Sequence, residues 1–306
     1  MRTAVLYHNI CISRSIGRTI AVKKQIILLI SSATISVLFV CPQAKVVEKM
    51  MYVIVCLVAL GASFLTLFSG FGLSTLLMPA FALFFPLKAA IAMTAVVHLA
   101  NNVFKLALVG RKADKQVLLK FALPGIVAAF VGAWLLTYFS ELPPIASYAI
   151  GQRDFQISVV KVVIGLLMIG FAFLELLPRF EKLAFAEKWL PLGGAVSGFF
   201  GGLSGHQGAF RSAFLSKAGL EKEAFIATGV AAAFLIDLTR LSVYANHLGT
   251  IGTDADWALV AAAIVAAFAG AFVGSRLLQK VTLRVVQIIV GVMLALVGVL
   301  LAVGLI

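Results

Sequence analysis

Charge is what this chain has least of. Only 12% of its 306 residues are Asp, Glu, Lys or Arg, against about a quarter in a soluble globular domain, which excludes an ordinary soluble fold. Cysteine is nearly absent too. Cys11, Cys41 and Cys56 are odd in number and lack CxxC spacing, so neither a disulfide framework nor a structural zinc site is expected, only free thiols. The four histidines, His8, His98, His206 and His247, are too scattered for a metal cluster. There is no HExxH, no GxSxG and no P-loop lysine, so the chain reads as no enzyme, with no cofactor and no ATP-driven step of its own. Acids are scarce beside 25 basic residues, giving a net charge of +13. That excess could suggest nucleic acid, but the basic residues sit at loop ends without interleaved aromatics. Membrane topology accounts for them, and no nucleic-acid partner is expected.

What the chain has is hydrophobic length. Some 62% of it is apolar, in stretches of roughly 20 residues, enough to cross about 30 Å of hydrocarbon. Its solvent is the lipid bilayer. Residues 1–49 differ from the rest: Arg2, Arg14, Arg18, Lys23 and Lys24 precede a short apolar run, Gln25 to Val40. This extension reads as a signal-anchor helix, a signal peptide, or an over-long start ahead of Met50 and Met51.

The remainder says nearly the same thing twice. Ile126-Val-Ala-Ala-Phe-Val-Gly-Ala133 returns as Ile264-Val-Ala-Ala-Phe-Ala-Gly-Ala271, and Val159-Val-Lys-Val-Val-Ile-Gly165 returns as Val285-Val-Gln-Ile-Ile-Val-Gly291. Ser69-Gly70 answers Ser204-Gly205, while Asn102 and Lys105 answer Asp237 and Arg240, each shifted by 135. The echoes keep their order, as in transporters built from duplicated halves with the site between them. The expected division is a first repeat at 50–178, a linker at 179–188 and a second repeat at 189–306. Each half opens with an apolar stretch broken by Ser and Gly, at Ser69–Ser74 and at Ser204–Gly208. Three spans follow in each, about 88–109, 118–139 and 158–177, then 223–246, 256–275 and 284–305.

Loop charges orient the halves. The loop 110–117 carries Arg111, Lys112 and Lys115, whereas its counterpart 246–256 carries no Lys or Arg. The loop 140–157 has only Arg153, whereas 276–284 has Arg276, Lys280 and Arg284. Opposite bias in equivalent loops means opposite insertion. With three full spans per half, each broken segment must then enter and leave on one side, on arms of about 10 residues at 1.5 Å each. This arrangement gathers Arg111, Lys112, Lys115, Arg179, Lys182, Lys188, Lys217, Lys222, Arg276, Lys280 and Arg284 in the cytoplasm, leaving Lys88 and Arg153 opposite. The fold class is therefore an all-α polytopic membrane protein of two inverted repeats, each a broken re-entrant helical hairpin followed by three transmembrane helices.

The breaks should meet near the midplane, because non-helical backbone at membrane depth must be buried or wetted. Gly70, Gly72, Gly205 and Gly208 permit the turns. Ser69, Ser74, Ser204, His206 and Gln207 add hydrogen-bonding groups. Helix N-termini restarting there would aim N–H donors at an anion; the plainer role of Gly and Ser is close helix packing. A polar stripe, His98, Asn101, Asn102 and Lys105, runs along one face of the first full span, with Lys105 near enough to the helix end to snorkel. Asp237 and Arg240 form either a structural ion pair or a functional one, since ionisable groups in a span face a cavity or a partner. In the functional reading Asp237 or His98 couples protons and Arg240 is the anion's counter-charge. Arg211, just past the second break, either snorkels or faces a bound oxyanion with its planar fork. Thr94 and Thr228 either line the path or back-bond within their helices.

The turn Ser69-Gly-Phe-Gly72, then Pro79, then a polar-faced helix, with the pattern repeated in the second half, resembles the sulfite exporter TauE/SafE family over about 53–306. The resemblance implies a secondary carrier or exporter of small sulfur oxyanions and organosulfonates. The second break departs from the family pattern: it lacks the proline and has His206 and Gln207 in place of small residues, which alters the pocket lining. The expectation is an inner-membrane, multi-pass transporter of a small anion, with Ser69, Gly70, Gly72, Ser74, Asn101, Asn102, Ser204, Gly205, His206, Gln207, Gly208, Arg211 and Arg240 at the substrate and His98 and Asp237 coupling protons. An anion channel and a non-transporting interaction protein are the rivals.

Overall fold

A computed structural model describes residues 46–65, 72–151, 153–177, 184–245, 255–277 and 283–306. The chain divides into two units, Met1–Met51 and Tyr52–Ile306. Of the first unit only residues 46–51 are described, and they are helical. The basic N-terminal run, the segment Gln25 to Val40, Ser69 and Gly70 of the first break, and most of the loop 246–256 lie outside the described residues.

The architecture is helical: α1 (Val46–Leu65), α2 (Leu73–Ala82), α3 (Leu87–Val109), α4 (Lys115–Glu141), α5 (Val159–Leu176), α6 (Leu190–Ser204), α7 (Gly208–Leu215), α8 (Lys222–Ala245), α9 (Trp257–Leu277) and α10 (Leu283–Ala302). Among the described residues six helices are long and apolar enough to cross a membrane: α1, α3, α4, α5, α8 and α9. A helix bonds its own backbone polar groups, so these runs need no water along their length. The chain is a multi-pass membrane protein.

The surface is turned inside out relative to a soluble protein. Val127, Phe173, Val265 and Leu296 are each more than 60% exposed, while Asn101, Asp237 and Arg240 are 0% exposed. Apolar side chains face lipid, and the polar ones are gathered within.

Local signals set the helix ends. Asp114 caps α4, its carboxylate accepting from the Val117 N–H at 2.9 Å, and Ser158 caps α5 through Lys161 N–H. Both are the short-side-chain acceptors that helix starts favour. Three helices are short: α2 has 10 residues, α6 has 15 and α7 has 8, so α2 and α7 each rise only about 12–15 Å. By contrast α1 has 20 residues, where about 10 are enough to reach the midplane. The loop 140–157 holds a hairpin of β1 (Ala146–Ile150) antiparallel to β2 (Arg153–Ile157). Tyr148 Oη in β1 donates to the Val303 carbonyl at 2.6 Å.

The echoed glycines pack reciprocally. A methyl group on Gly132 in α4 would strike the α6 backbone at Phe199 O and, at 2.9 Å, Leu203 N. One on Gly270 in α9 would strike the α1 backbone at Leu60 O and, at 3.1 Å, Phe64 N. Gly165 in α5 lies against Gly298 O of α10, where a methyl would be 2.5 Å away; Gly291 in α10 lies against α5, where it would meet Leu176 Cγ at 2.7 Å and Ala172 O at 3.3 Å. Absent side chains at these places let backbones touch, the usual device for joining helices where water drives nothing together.

Candidate functional site

The site begins where α6 stops. Gly205 ends α6 with φ 82°, a left-handed turn that glycine adopts without strain. The absent side chain has a second use: a Cβ on Gly205 would lie 2.6 Å from an Arg240 guanidinium nitrogen and 3.4 Å from Ser74 Cβ. The chain restarts at Gly208 as α7. The other short helix, α2, starts at Leu73 and carries Ser74 in its first turn. Two helix starts, where partial positive charge concentrates, thus come to the same pair of residues on α8.

That pair is Asp237 and Arg240, both 0% exposed, bonded Nη2 to Oδ1 at 2.9 Å. Arg240 also reaches Ser74 Oγ and the Gly201 carbonyl, each at 3.4 Å. Asp237 takes three further donors: Gln207 Nε2 on Oδ1 at 3.2 Å, Asn102 Nδ2 on Oδ2 at 2.8 Å and His98 Nδ1 on Oδ2 at 2.5 Å. An ionised carboxylate accepts only, so His98 carries its proton on Nδ1 and donates. The 3.2 Å approach of Asn102 Nδ2 to His98 Nδ1 then sets donor beside donor and adds no bond. A methyl on Gly72 would be 3.8 Å from His98 Nε2, which puts the free edge of the imidazole beside the start of α2.

The structure thus joins Gly72, Ser74, His98, Asn102, Gly205, Gln207, Asp237 and Arg240. Others sit apart. Asn101 turns toward α1, where its Oδ1 accepts from Ser63 Oγ at 3.1 Å. Ser204 donates back to the Phe200 carbonyl. His206 Nδ1 lies 3.1 Å from the Ser204 carbonyl and hydroxyl oxygens, and the ring stacks on Phe171 with centroids 5.0 Å apart. Gly208 is the first residue of α7 and brings no side chain. Arg211, one turn on, is 7% exposed and lies beside Gly229 of α8, where a methyl would be 3.5 Å from its Nε. Neither Arg211 nor Lys105, at 4%, snorkels to the surface. Thr228 Oγ1 accepts from Asp114 N–H at 2.9 Å, tying α8 to the start of α4.

Several buried polar atoms have no hydrogen-bond partner among the described residues: Arg240 Nε, Gln207 Oε1, His206 Nε2, Asn101 Nδ2 and Thr94 Oγ1. Native interiors leave few such atoms, and each asks for a water or ligand. No group of three His, Cys, Asp or Glu residues among the described residues is placed to hold a metal. Two supports carried no sequence signal. Ser197 Oγ donates to the Gln207 carbonyl at 3.0 Å and Tyr244 Oη to the Gly202 carbonyl at 2.6 Å; both fix backbone next to the turn. Glu175, buried at 6%, also escaped notice, because one acid near a helix end looks like a snorkelling charge.

No curated protein and no solved structure matches the chain. The family described as "Sulfite exporter TauE/SafE" matches residues 55–301, a stretch that takes in all three short helices and every member of the Asp237 cluster, and the chain belongs to that family of membrane transporters.

Proposed function

We propose that this protein is a secondary transporter, an exporter, of a small anion such as sulfite or an organosulfonate, resident in the cell (inner) membrane. The observation that carries this reading is the charge inside the bundle. Among the described residues three basic side chains, Arg240, Arg211 and Lys105, are buried against two carboxylates, Asp237 and Glu175. Unbalanced buried charge is costly, so a compartment with this surplus is suited to an anion and ill suited to a cation. The atoms without partners, Arg240 Nε and Gln207 Oε1 among them, supply the polar contacts a substrate would complete.

The site lies between two repeats, 50–178 and 189–306, joined by 179–188 and inserted in opposite senses. Support comes from the loop charges and from the reciprocal packing of echoed glycines, Gly132 on α6 against Gly270 on α1. Asn102 and Asp237, equivalent positions 135 apart, touch each other, as residues beside a pseudo-two-fold axis do. Proton coupling runs through His98: Nδ1–H stays on Asp237 while Nε2 takes or gives the proton. Each transported anion then changes the charge of a site that already holds one acid–base pair.

The test is anion flux in sealed proteoliposomes with an internal pH dye. The reading expects sulfite or ethanesulfonate efflux accompanied by proton movement, with no requirement for ATP. Flux without proton movement would make the protein a channel, and no flux of any small anion would remove transport from the account.

A further inference from the structure

At the ion pair, two polar atoms of opposite sense are left open. Arg240 Nε is a donor and Gln207 Oε1 an acceptor. Both residues are 0% exposed, and neither atom has a hydrogen-bond partner among the described residues. Each belongs to the same small planar group as a nitrogen bonded to Asp237 Oδ1: Arg240 Nη2 at 2.9 Å and Gln207 Nε2 at 3.2 Å. Guanidinium and amide therefore meet at one atom, and their open edges fall within reach of one small molecule. The amide cannot exchange its ends, because a carboxylate only accepts and the nitrogen must be the end that faces it.

A bare oxyanion satisfies half of this arrangement. Its oxygens accept from Arg240 Nε, but against Gln207 Oε1 they set lone pair on lone pair and leave a buried acceptor unbonded, which is costly. What Gln207 lacks is a donor. An ammonium would supply one, yet the described interior already holds three basic side chains, Arg240, Arg211 and Lys105, against two carboxylates, Asp237 and Glu175. Another cation there is unfavourable. A hydroxyl brings the donor without the charge.

We infer that the anion this site prefers carries a hydroxyl group, which donates to Gln207 Oε1 while the anionic oxygens accept from Arg240 Nε. The ligand class is a small hydroxylated oxyanion; a hydroxyalkanesulfonate and hydrogen sulfite both meet it. His206 Nε2 is also buried without a partner. It too is an acceptor, since Nδ1 donates to the Ser204 oxygens and the Ser204 hydroxyl spends its hydrogen on Phe200. A hydroxyl has one hydrogen to give, however, and Gln207 is the acceptor that shares Oδ1 with Arg240. This inference rests on the anion-transport reading and narrows its substrate.

The experiment measures the melting temperature of the full chain in nanodiscs, at constant ionic strength, against three sulfonates of matched shape. These are 2-hydroxyethanesulfonate, 1-propanesulfonate, which has a methyl in place of the hydroxyl, and 2-aminoethanesulfonate. A ligand that binds only the folded state raises that temperature according to its concentration relative to Kd. The parent chain should need at least about tenfold more 1-propanesulfonate than 2-hydroxyethanesulfonate for the same rise, because the methyl leaves Gln207 Oε1 unbonded. The amino compound should rank below the hydroxy compound. Gln207→Met keeps the side chain's length without its acceptor; it should bind 1-propanesulfonate as the parent does and lose the preference. Gln207→Asn, whose shorter amide cannot reach both Asp237 and the hydroxyl, should lose it too. His206→Phe, which preserves the stacking on Phe171, should retain it. A parent unmoved by all three anions and by sulfite overturns the transport reading and this inference together. A parent that responds equally to the hydroxy and methyl compounds leaves the transport reading standing and overturns this inference, whichever variants fold. A preference for 2-aminoethanesulfonate overturns the hydroxyl in favour of an ammonium. A folded Gln207 variant that keeps the preference, or a folded His206→Phe that loses it, overturns the Gln207 assignment.

Discussion

Four donors on one carboxylate make Asp237 the organising residue of the interior, and the geometry predicts how its neighbours respond to substitution. Removing one partner of a buried pair leaves the other charge stranded, a loss of about 3–5 kcal/mol, whereas replacing both members with neutral groups of similar size is close to neutral. Arg240→Ala should therefore sharply lower the melting temperature, and Asp237→Asn with Arg240→Gln should restore most of it. A double variant no more stable than Arg240→Ala would show that Asp237 is held by Asn102, Gln207 and His98 without need of Arg240. Much of this cluster was legible in the sequence. Asp237 and Arg240 stand three apart inside a span, and His98 and Asn102 share a helix face. Asn101, adjacent to Asn102 in the chain, lies apart from the cluster because the turn of the helix sends it to α1 and Ser63. Lys105 was harder still: position near a helix end suggests snorkelling, yet the side chain is only 4% exposed.

At the scale of elements, the echoed glycines decide which helices touch. Gly132 and Gly270 lie against the backbones of α6 and α1, with no space for a side chain. Gly170, by contrast, has nothing within 4 Å of its Cβ position. Overpacking costs about 1–3 kcal/mol or more, so Gly132→Val and Gly270→Val should each reduce thermal stability by that order, while Gly170→Ala changes it little. Melting curves in detergent would show this; equal effects at all three positions would contradict the backbone contacts. The helices themselves were readable from apolar length, and six of the anticipated spans agree with α3, α4, α5, α8, α9 and α10 to within a few residues. The hairpin β1–β2 was not readable. Its strands are five residues each and take their partner from each other and from Val303, a contact that no local pattern announces.

At the scale of the whole molecule, the proposed opposite insertion of the halves predicts sidedness. Single cysteines in 110–117 and 276–284 should react with an impermeant thiol reagent only from the cytoplasm, and those in 140–157 and 246–256 only from the opposite side. Labelling of 246–256 from the cytoplasm would contradict the inverted arrangement. The charge bias that supports it was visible in the sequence because topology is written in loops. The central claim, that the buried basic surplus exists to carry a small anion, is tested most directly by sulfite efflux from proteoliposomes holding the full chain. The account predicts efflux well above that of protein-free vesicles. Proteoliposomes that release sulfite no faster than lipid alone would contradict it.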